Sequence, residues 1–180
     1  KKDQRVVVDV GQLCGWKKGQ YVDGKIHGRM DVFPDGTLVG ITWLGHDVTN
    51  DELAHGYVRG GHLVTYNVLS GESKYLGVPL YGDSWPYVTT DTMNGIMFAV
   101  GNEQMFMVYD LKQGKLTYGG HPPAGMIWNS RSMMLDEATG LVYSTDTSKD
   151  HNFKPGNEDH FFLSFDRRTN LFARLGCKVP

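Results

Sequence analysis

Cysteine is scarce in this sequence. The 180 residues include two, Cys14 and Cys177, and neither lies in a CxxC or CxxCH motif. A disulfide-stapled scaffold, a structural zinc site and a c-type haem are therefore not indicated. The two cysteines lie about three repeat units apart, whereas a disulfide needs Cα atoms within about 7 Å of each other. We expect free thiols, with an intermolecular disulfide as the alternative.

Other absences narrow the functional classes. No apolar run approaches the roughly 20 residues that cross a bilayer, and the net charge is −2 with Lys and Arg scattered along the chain. A membrane or nucleic-acid partner is therefore not expected. The sequence has no GxSxG, P-loop or strand-following GxGxxG motif, so a serine hydrolase, a nucleotide enzyme and a Rossmann dehydrogenase are not indicated. The chain opens KKDQRVVVDV, without Met or a signal-peptide core, and we expect a processed or truncated product.

Glycine and aromatic residues, in contrast, are plentiful, with 23 glycines and 12% Phe, Trp and Tyr. Three segments that align without a gap show how they are used: HLVTYNVLSGESKYLG (62–77), MFMVYDLKQGKLTYGG (105–120) and FFLSFDRRTNLFARLG (161–176). Each has an aromatic residue followed by Asn or Asp, then a turn, and each closes on glycine. Alternating apolar residues on both sides of an Asx-type turn predict a β-hairpin.

A second strand-turn-strand unit precedes each hairpin, with Gly36, Gly95 and Gly140 in the turns. Two hairpins make a four-stranded module, and three modules at a period of roughly 40 to 60 residues are typical of a β-propeller. We predict an all-β fold, a β-propeller of four-stranded antiparallel blades. The predicted parts of this single partial domain (1–180) are an outer strand of a preceding blade (5–11) and three blades (27–79, 85–122 and 129–179).

Three blades and one strand are too few to close a ring, because propellers typically have four to eight blades. An open arc would leave apolar side chains exposed on its two end blades. We therefore expect the missing blades to come from the rest of a longer chain or from another subunit.

Polar residues collect at one end of the predicted blades. In each blade, the start of the innermost strand and the loop between the second and third strands lie on the same face. The equivalent starts are His27-Gly28-Arg29, Trp85-Pro86-Tyr87 and Asn129-Ser130-Arg131. Long loop insertions in the first and third blades add His46, His55 and Tyr57, and also Asp150, His151, Asp159 and His160. Insertions on one face of a repeat protein often carry binding function.

Each candidate also has a structural interpretation. Histidines in β-proteins are commonly hydrogen-bonded surface residues, Trp85 and Tyr87 are placed to pack between blades, and Arg131 can pair with Asp91 or Asp136. The cluster Asp150, His151, Asp159 and His160 is a weak indication of a divalent cation, because mixed loops of this kind are usually only solvated. No other cofactor is indicated.

Imidazole, phenol and guanidinium groups around a wide channel suit an anionic, polyhydroxylated substrate such as a uronate-containing polysaccharide or oligosaccharide. β-Elimination on a uronate needs a cation to stabilise the enolate charge, a base to remove the C5 proton and an acid to protonate the leaving oxygen. Arg, His and Tyr can supply these three groups, and an aromatic rim residue such as Trp85 can stack on a sugar.

The repeats resemble those of bacterial seven-bladed propeller proteins, and the architecture is similar to that of propeller polysaccharide lyases of the ulvan-lyase type. The resemblance implies His27 and His46 as the paired catalytic histidines, Tyr87 as acid or base, and Arg131 as the carboxylate neutraliser. It also implies a secreted or periplasmic protein. The predicted substrate-binding residues are Arg29, Trp85, His55, Tyr57 and Asn129. A non-catalytic binding or assembly module is the competing hypothesis, and a propeller enzyme with its chemistry on another domain is a third.

Overall fold

The computed structural model describes residues 25–43, 54, 60–128, 130–146 and 160–179. Strands predominate in these ranges, joined by turns, with one short 3-10 helix between the second and third sheets. None of the helices described there is long and apolar enough to span a membrane. The predicted outer strand at 5–11 and Cys14 lie outside the described residues.

The strands fall into three consecutive antiparallel sheets, here named blades 1, 2 and 3. Blade 1 contains β1 (Lys25–Ile26), β2 (Asp31–Val32), β3 (Thr37–Trp43), β4 (Leu63–Asn67) and β5 (Ser73–Gly77). Blade 2 contains β6 (Tyr87–Asp91), β7 (Ile96–Val100), β8 (Phe106–Asp110) and β9 (Lys115–Gly120). Blade 3 contains β10 (Met134–Asp136), β11 (Leu141–Thr145), β12 (His160–Asp166) and β13 (Leu171–Val179), preceded by the 3-10 helix η1 (Ser130–Ser132).

Within each blade the strands pair in chain order. Blade 1 has a divided first strand, because β1 and β2 both pair with the same edge of β3 at different places. Counting β1 and β2 as one strand, every blade is a four-stranded antiparallel meander, as the sequence predicts. The inner strands β6 and β10 of neighbouring blades also contact each other.

The turns between the third and fourth strands show why the repeat carries Asn or Asp at a fixed position. In each blade its side-chain Oδ1 accepts backbone N–H groups two or three residues ahead: Asn67 from Leu69 and Ser70 at 2.9 Å, Asp110 from Gln113 at 2.8 Å, and Asp166 from Arg168 at 2.9 Å. The predicted Asx turns are therefore confirmed. Gly71 and Gly114 adopt positive φ in these turns, and Asn170 takes that place in blade 3 with φ of 55°, which Asn tolerates better than most residues.

Blade 2 is buried on both faces, because it lies between its two neighbours. Side chains alternate along β7 and β8, so successive residues pack against opposite blades. The core between blades 1 and 2 contains Val39, Ile41, Leu63, Trp85, Val88, Met97, Ala99, Met107 and Tyr109. The core between blades 2 and 3 contains Ile96, Phe98, Val100, Phe106, Val108, Trp128, Val142, Leu163 and Phe165. These two cores hold the three blades together.

The faces of blades 1 and 3 that point away from blade 2 remain partly exposed. On blade 3, Phe162 is 40% exposed and Leu171 is 66% exposed, and on blade 1 Val32 is 55% exposed. Phe162 occupies the same repeat position as Phe106, which is fully buried between blades 2 and 3. The outer face of blade 3 thus exposes an apolar residue, Phe162, whose counterpart on blade 2, Phe106, is covered by the next blade.

Candidate functional site

The mouth of the arc, at the start of the inner strands, is shaped by a bulge in blade 1. Ile26 pairs with Thr42 and Asp31 pairs with Val39, so the four residues 27–30 stand opposite only two residues of β3. Extra residues in one strand bend it and redirect its side chains, and such bulges are common beside functional sites. Gly28 lies where the bulge meets blade 2, since a Cβ there would be 2.9 Å from the Pro86 carbonyl oxygen.

His27, at the beginning of this bulge, is exposed and lies between two aromatic rings. Its ring centroid is 4.4 Å from that of Trp43 and 5.4 Å from that of Tyr87, the latter in an edge-on arrangement. Tyr87 is the first residue of β6, so the contact joins the inner strands of blades 1 and 2. Two predicted catalytic groups, an imidazole and a phenol, are therefore neighbours at the mouth.

Arg29 is held by a network at the same place. Its Nε lies 2.5 Å from Asp31 Oδ1, and Asp31, which is 8% exposed, accepts the Thr90 hydroxyl at 2.5 Å. Thr90 belongs to β6, so the network also ties blade 1 to blade 2. The Arg29 side chain remains 77% exposed, and a guanidinium has five N–H donors, so donors remain to contact a ligand.

Arg131 comes from the third blade. It is exposed on η1, and η1 lies beside β6, the strand that begins with Tyr87. Each of the two carboxylates named as its partners also makes contacts of its own. Asp91 Oδ2 lies 3.2 Å from Arg167 Nη1, and Asp136 accepts the Ala138 N–H and the Thr139 hydroxyl. The mouth thus has basic side chains on two blades.

Trp85 does not line the mouth. It is fully buried, and it packs in the core between blades 1 and 2 beside Gly61. The prediction that Trp85 stacks on a sugar at the rim is therefore corrected, because a side chain with no exposed surface has no face to offer a ligand. Its structural interpretation, packing between blades, is confirmed.

Several predicted residues cannot be placed in this geometry. The positions that lie outside the described residues are His46, His55, Tyr57, Asn129, Asp150, His151 and Asp159. His160 is the first residue of β12, and its side chain lies outside the described part of the chain. Within the described part of the chain, no group of three His, Cys, Asp or Glu residues is arranged to hold a metal ion.

Sequence reasoning missed a buried carboxylate next to the mouth. Asp83 is fully buried and accepts backbone N–H groups from Ser84 at 2.7 Å, Glu103 at 2.9 Å and Met105 at 3.0 Å. It thereby fixes the loop between β7 and β8 on the mouth side of blade 2. Burial raises the pKa of the Asp83 carboxyl above its ordinary value, while these hydrogen bonds oppose the rise. A single Asp in a loop has no sequence pattern that would have revealed this role.

We predict that Asp83→Ala lowers the free energy of unfolding by about 3 kcal/mol, because several N–H groups lose their acceptor. Asp83→Asn, which keeps one acceptor oxygen, should cost about 1–2 kcal/mol. Urea denaturation followed by circular dichroism measures both values. If the wild type, Asp83→Ala and Asp83→Asn unfolded with the same free energy, Asp83 would not stabilise the loop between β7 and β8.

The raised pKa adds a pH dependence. The folded protein holds this proton more tightly than the unfolded chain, so the contribution of Asp83 to stability is fully present below pH 3.8 and falls as the pH rises through the raised pKa. We expect the difference in unfolding free energy between the wild type and Asp83→Asn to shrink over that range. The other carboxylates are present in both proteins, so their contributions cancel in this difference. A difference in unfolding free energy that grows with pH would contradict a raised pKa at Asp83.

Comparison with known proteins identifies the fold. No family model matches the chain, and no curated protein matches it. A crystal structure of the tricorn protease is similar, with 12% identity and a TM-score of 0.52 over 83% of this chain and 13% of that one. A chain of the nidogen/laminin complex is also similar, with 14% identity and a TM-score of 0.50 over 86% of this chain and 50% of that one.

The chain thus spans 13% and 50% of the lengths of these two neighbours, and identities this low bear on the fold alone. Both neighbours have propeller-type folds. Together with the three consecutive four-stranded sheets, they show that this chain has the β-propeller fold.

Proposed function

We propose that this chain forms part of a propeller that binds a uronate-containing glycan at its mouth and cleaves it by β-elimination. The observation that carries the proposal is the contact between His27, on the exposed bulge of blade 1, and Tyr87 of blade 2, with Arg29 on the same bulge and Arg131 at the start of blade 3. A polymeric uronate is an extracellular substrate, so the proposal includes a secreted or periplasmic location.

The proposed reaction uses these side chains in distinct roles. The Arg131 guanidinium pairs with the substrate carboxylate, which makes the C5 proton acidic by stabilising the enolate charge. Neutral His27 takes that proton, and the electrons of the C5–H bond form the C4–C5 double bond as the C4–oxygen bond breaks. The Tyr87 hydroxyl protonates the departing oxygen. Arg29 donates hydrogen bonds to the neighbouring sugar.

The direct test is absorbance at about 235 nm, where the unsaturated uronate product absorbs, during incubation with a panel of uronate polysaccharides. The purified chain is used with any partner that co-purifies. Growth of the band on at least one polymer supports the proposal, provided that His27→Gln does not show it. A flat trace on every polymer, obtained with folded protein, counts against catalysis at this mouth.

A non-catalytic binding or assembly module is the second candidate. It is favoured by the burial of Trp85 and by the pairing of Arg29 with Asp31, since both engage groups that were expected to serve a substrate. This candidate predicts saturable binding of a uronate oligosaccharide in isothermal titration calorimetry without any increase at about 235 nm. The two measurements together separate the candidates.

We also propose that further blades of the same repeat cover the exposed outer faces, and that in the isolated chain a second copy takes this place head to tail. Blade 3 offers Phe162 and Leu171, and blade 1 offers Val32 and Tyr75. The outer face of blade 3 is equivalent to the face of blade 2 that packs against blade 3. The outer face of blade 1 is equivalent to the face of blade 2 that packs against blade 1, so the two outer faces can pack against each other. A mouth completed by more blades would also surround a glycan from both sides.

This proposal predicts concentration-dependent self-association. Light scattering after size-exclusion chromatography should show a rising average mass, and Phe162→Glu/Leu171→Glu should hold the protein at the monomer mass. Leu69→Glu, at a turn residue that is 79% exposed, is the control and should behave like the wild type. A monomeric wild type at about 100 μM would contradict the second-copy proposal.

A further inference from the structure

A groove lies between blades 1 and 2 at the end opposite the mouth. It has a volume of about 500 Å³, within the range of pockets that hold small ligands. Its deeper wall is apolar and includes Phe33, Val39 and Leu111, and its charged lining residues are Lys74, Lys112 and Asp35. Val39 lies in β3 and Lys74 in β5, and the others come from the turn after β2 and the turn between β8 and β9. These turns are at the end of the blades opposite the mouth, so the groove is separate from the His27 site.

The groove exists because the aromatic ring of the repeat faces the other way there. Tyr75 aligns with Tyr118, but the irregularity in strand pairing falls at a different place in blade 1, so Tyr75 pairs with Val64 on the outer face. Between blades 2 and 3, Tyr118 pairs across strands with Val108, and its ring centroid lies 5.4 Å from that of Phe165. In blade 1 the position of Val108 is held by Thr65, and its partner across the strands is Lys74. A lysine with an exposed end thus replaces the ring that fills the other interface, which leaves the space open.

Lys112 is held in place at the edge of this space. Its stem runs along Gly95, where a Cβ would lie 2.8 Å from Lys112 Cγ, and its Nζ donates a hydrogen bond to the Met93 carbonyl at 3.0 Å. An ammonium group has three donors, so two remain for a ligand. Because Gly95 has no side chain, the Lys112 stem can lie against it, and this contact holds the ammonium group at the edge of the groove.

The other two charges leave the lining with a net positive character. Lys74 Nζ lies 3.5 Å from a Glu72 carboxylate oxygen with both side chains more than 60% exposed, which makes a weak, screened pair. Asp35 accepts the Thr37 N–H at 2.9 Å and does not neutralise either lysine through a contact in the described part of the chain. An apolar wall beside two cations fits a ligand with an apolar body and one anionic group.

We propose that this groove is a second binding site, and that it takes a small amphiphilic carboxylate whose apolar part packs on Phe33 and Leu111 while Lys74 and Lys112 bind its carboxylate. The site is independent of the glycan proposal, since it lies on the opposite face and shares no side chain with it. Its occupant is less polar than a uronate.

The test uses 2-naphthoate as the probe, with 2-naphthamide as its neutral counterpart, and follows binding by isothermal titration calorimetry. Saturable binding of the carboxylate at a Kd below about 1 mM is expected, at least tenfold tighter than binding of the amide. Lys74→Tyr places a ring at the position that Tyr118 occupies in the other interface, and it should weaken 2-naphthoate binding at least tenfold without loss of thermal stability. Lys112→Met should weaken it three- to tenfold.

Two control variants make the result specific. Lys115→Met removes an exposed lysine of blade 2 that does not line the groove, and His27→Gln alters only the mouth, so both should bind 2-naphthoate like the wild type. Failure of the glycan proposal leaves these expectations unchanged. The groove proposal is overturned by absence of saturable binding, by equal affinity for the amide, or by full binding in Lys74→Tyr.

Discussion

Replacing His27 by Gln or Tyr87 by Phe is expected to lower the rate of uronate elimination by about 10²- to 10⁴-fold, the range over which general acid–base groups contribute. The rings of these two residues lie 5.4 Å apart at the start of the inner strands, where the proposal needs a base and an acid on one substrate. Both substitutions keep the size of the side chain approximately and remove its proton-transfer ability. The measurement is the initial rate of the increase in absorbance at about 235 nm.

Matched substitutions away from the mouth separate chemistry from general damage. His121 and Tyr81 are exposed in the connection after β9 and in the connection before β6. His121→Gln and Tyr81→Phe should retain the wild-type rate within about twofold. Circular dichroism and thermal melts must show that all four variants fold. A His27→Gln variant as active as His121→Gln would remove His27 from the mechanism.

The second large effect concerns the packing of the blades. Phe106→Ala should lower the free energy of unfolding by about 3–5 kcal/mol, the usual cost of deleting a buried phenylalanine. Phe106 is fully buried, and its ring centroid lies 4.7 Å from that of Phe165 and 5.0 Å from that of Trp128, so it joins blades 2 and 3. Urea titration of the purified variant gives the value.

The chain contains its own control for this experiment. Phe162 occupies the same repeat position on the outer face of blade 3 and is 40% exposed. In dilute solution, where the outer face is free, Phe162→Ala should cost less than about 1 kcal/mol. If the two substitutions cost the same, the order of the blades or the exposure of this face is not as described.

The architecture was accessible from the sequence because it rests on local, repeated rules. The Asx residues at Asn67, Asp110 and Asp166 bind nearby backbone N–H groups, so their spacing predicts the turns without knowledge of the rest of the fold. The two-residue period of side chains along a strand then predicts which side chains of β7 and β8 face each neighbour. Three modules are too few to close a ring, so the sequence also predicts that the outer faces of the two end blades are exposed.

The mouth was predicted less well, because its details depend on contacts between distant segments. Gly28 was placed only at the start of an inner strand, so the sequence predicted neither the bulge at residues 27–30 nor Trp43 as the neighbour of His27. Trp85 was assigned to the rim from its position in the repeat, whereas the close contact with Gly61 places it in the core. Asp83 and the groove at Lys74 depend on three-dimensional packing and have no local signature.

The measurement that tests the account most directly is hydrogen–deuterium exchange by mass spectrometry on His27→Gln, with and without a uronate oligosaccharide that this variant does not degrade. The account predicts slower exchange in peptides that contain residues 28–31 and 85–90, and unchanged exchange in the turns at 67–72 and 110–114 on the opposite face. Slower exchange at those opposite turns alone, or unchanged exchange throughout at saturating oligosaccharide, would contradict a glycan site at the mouth.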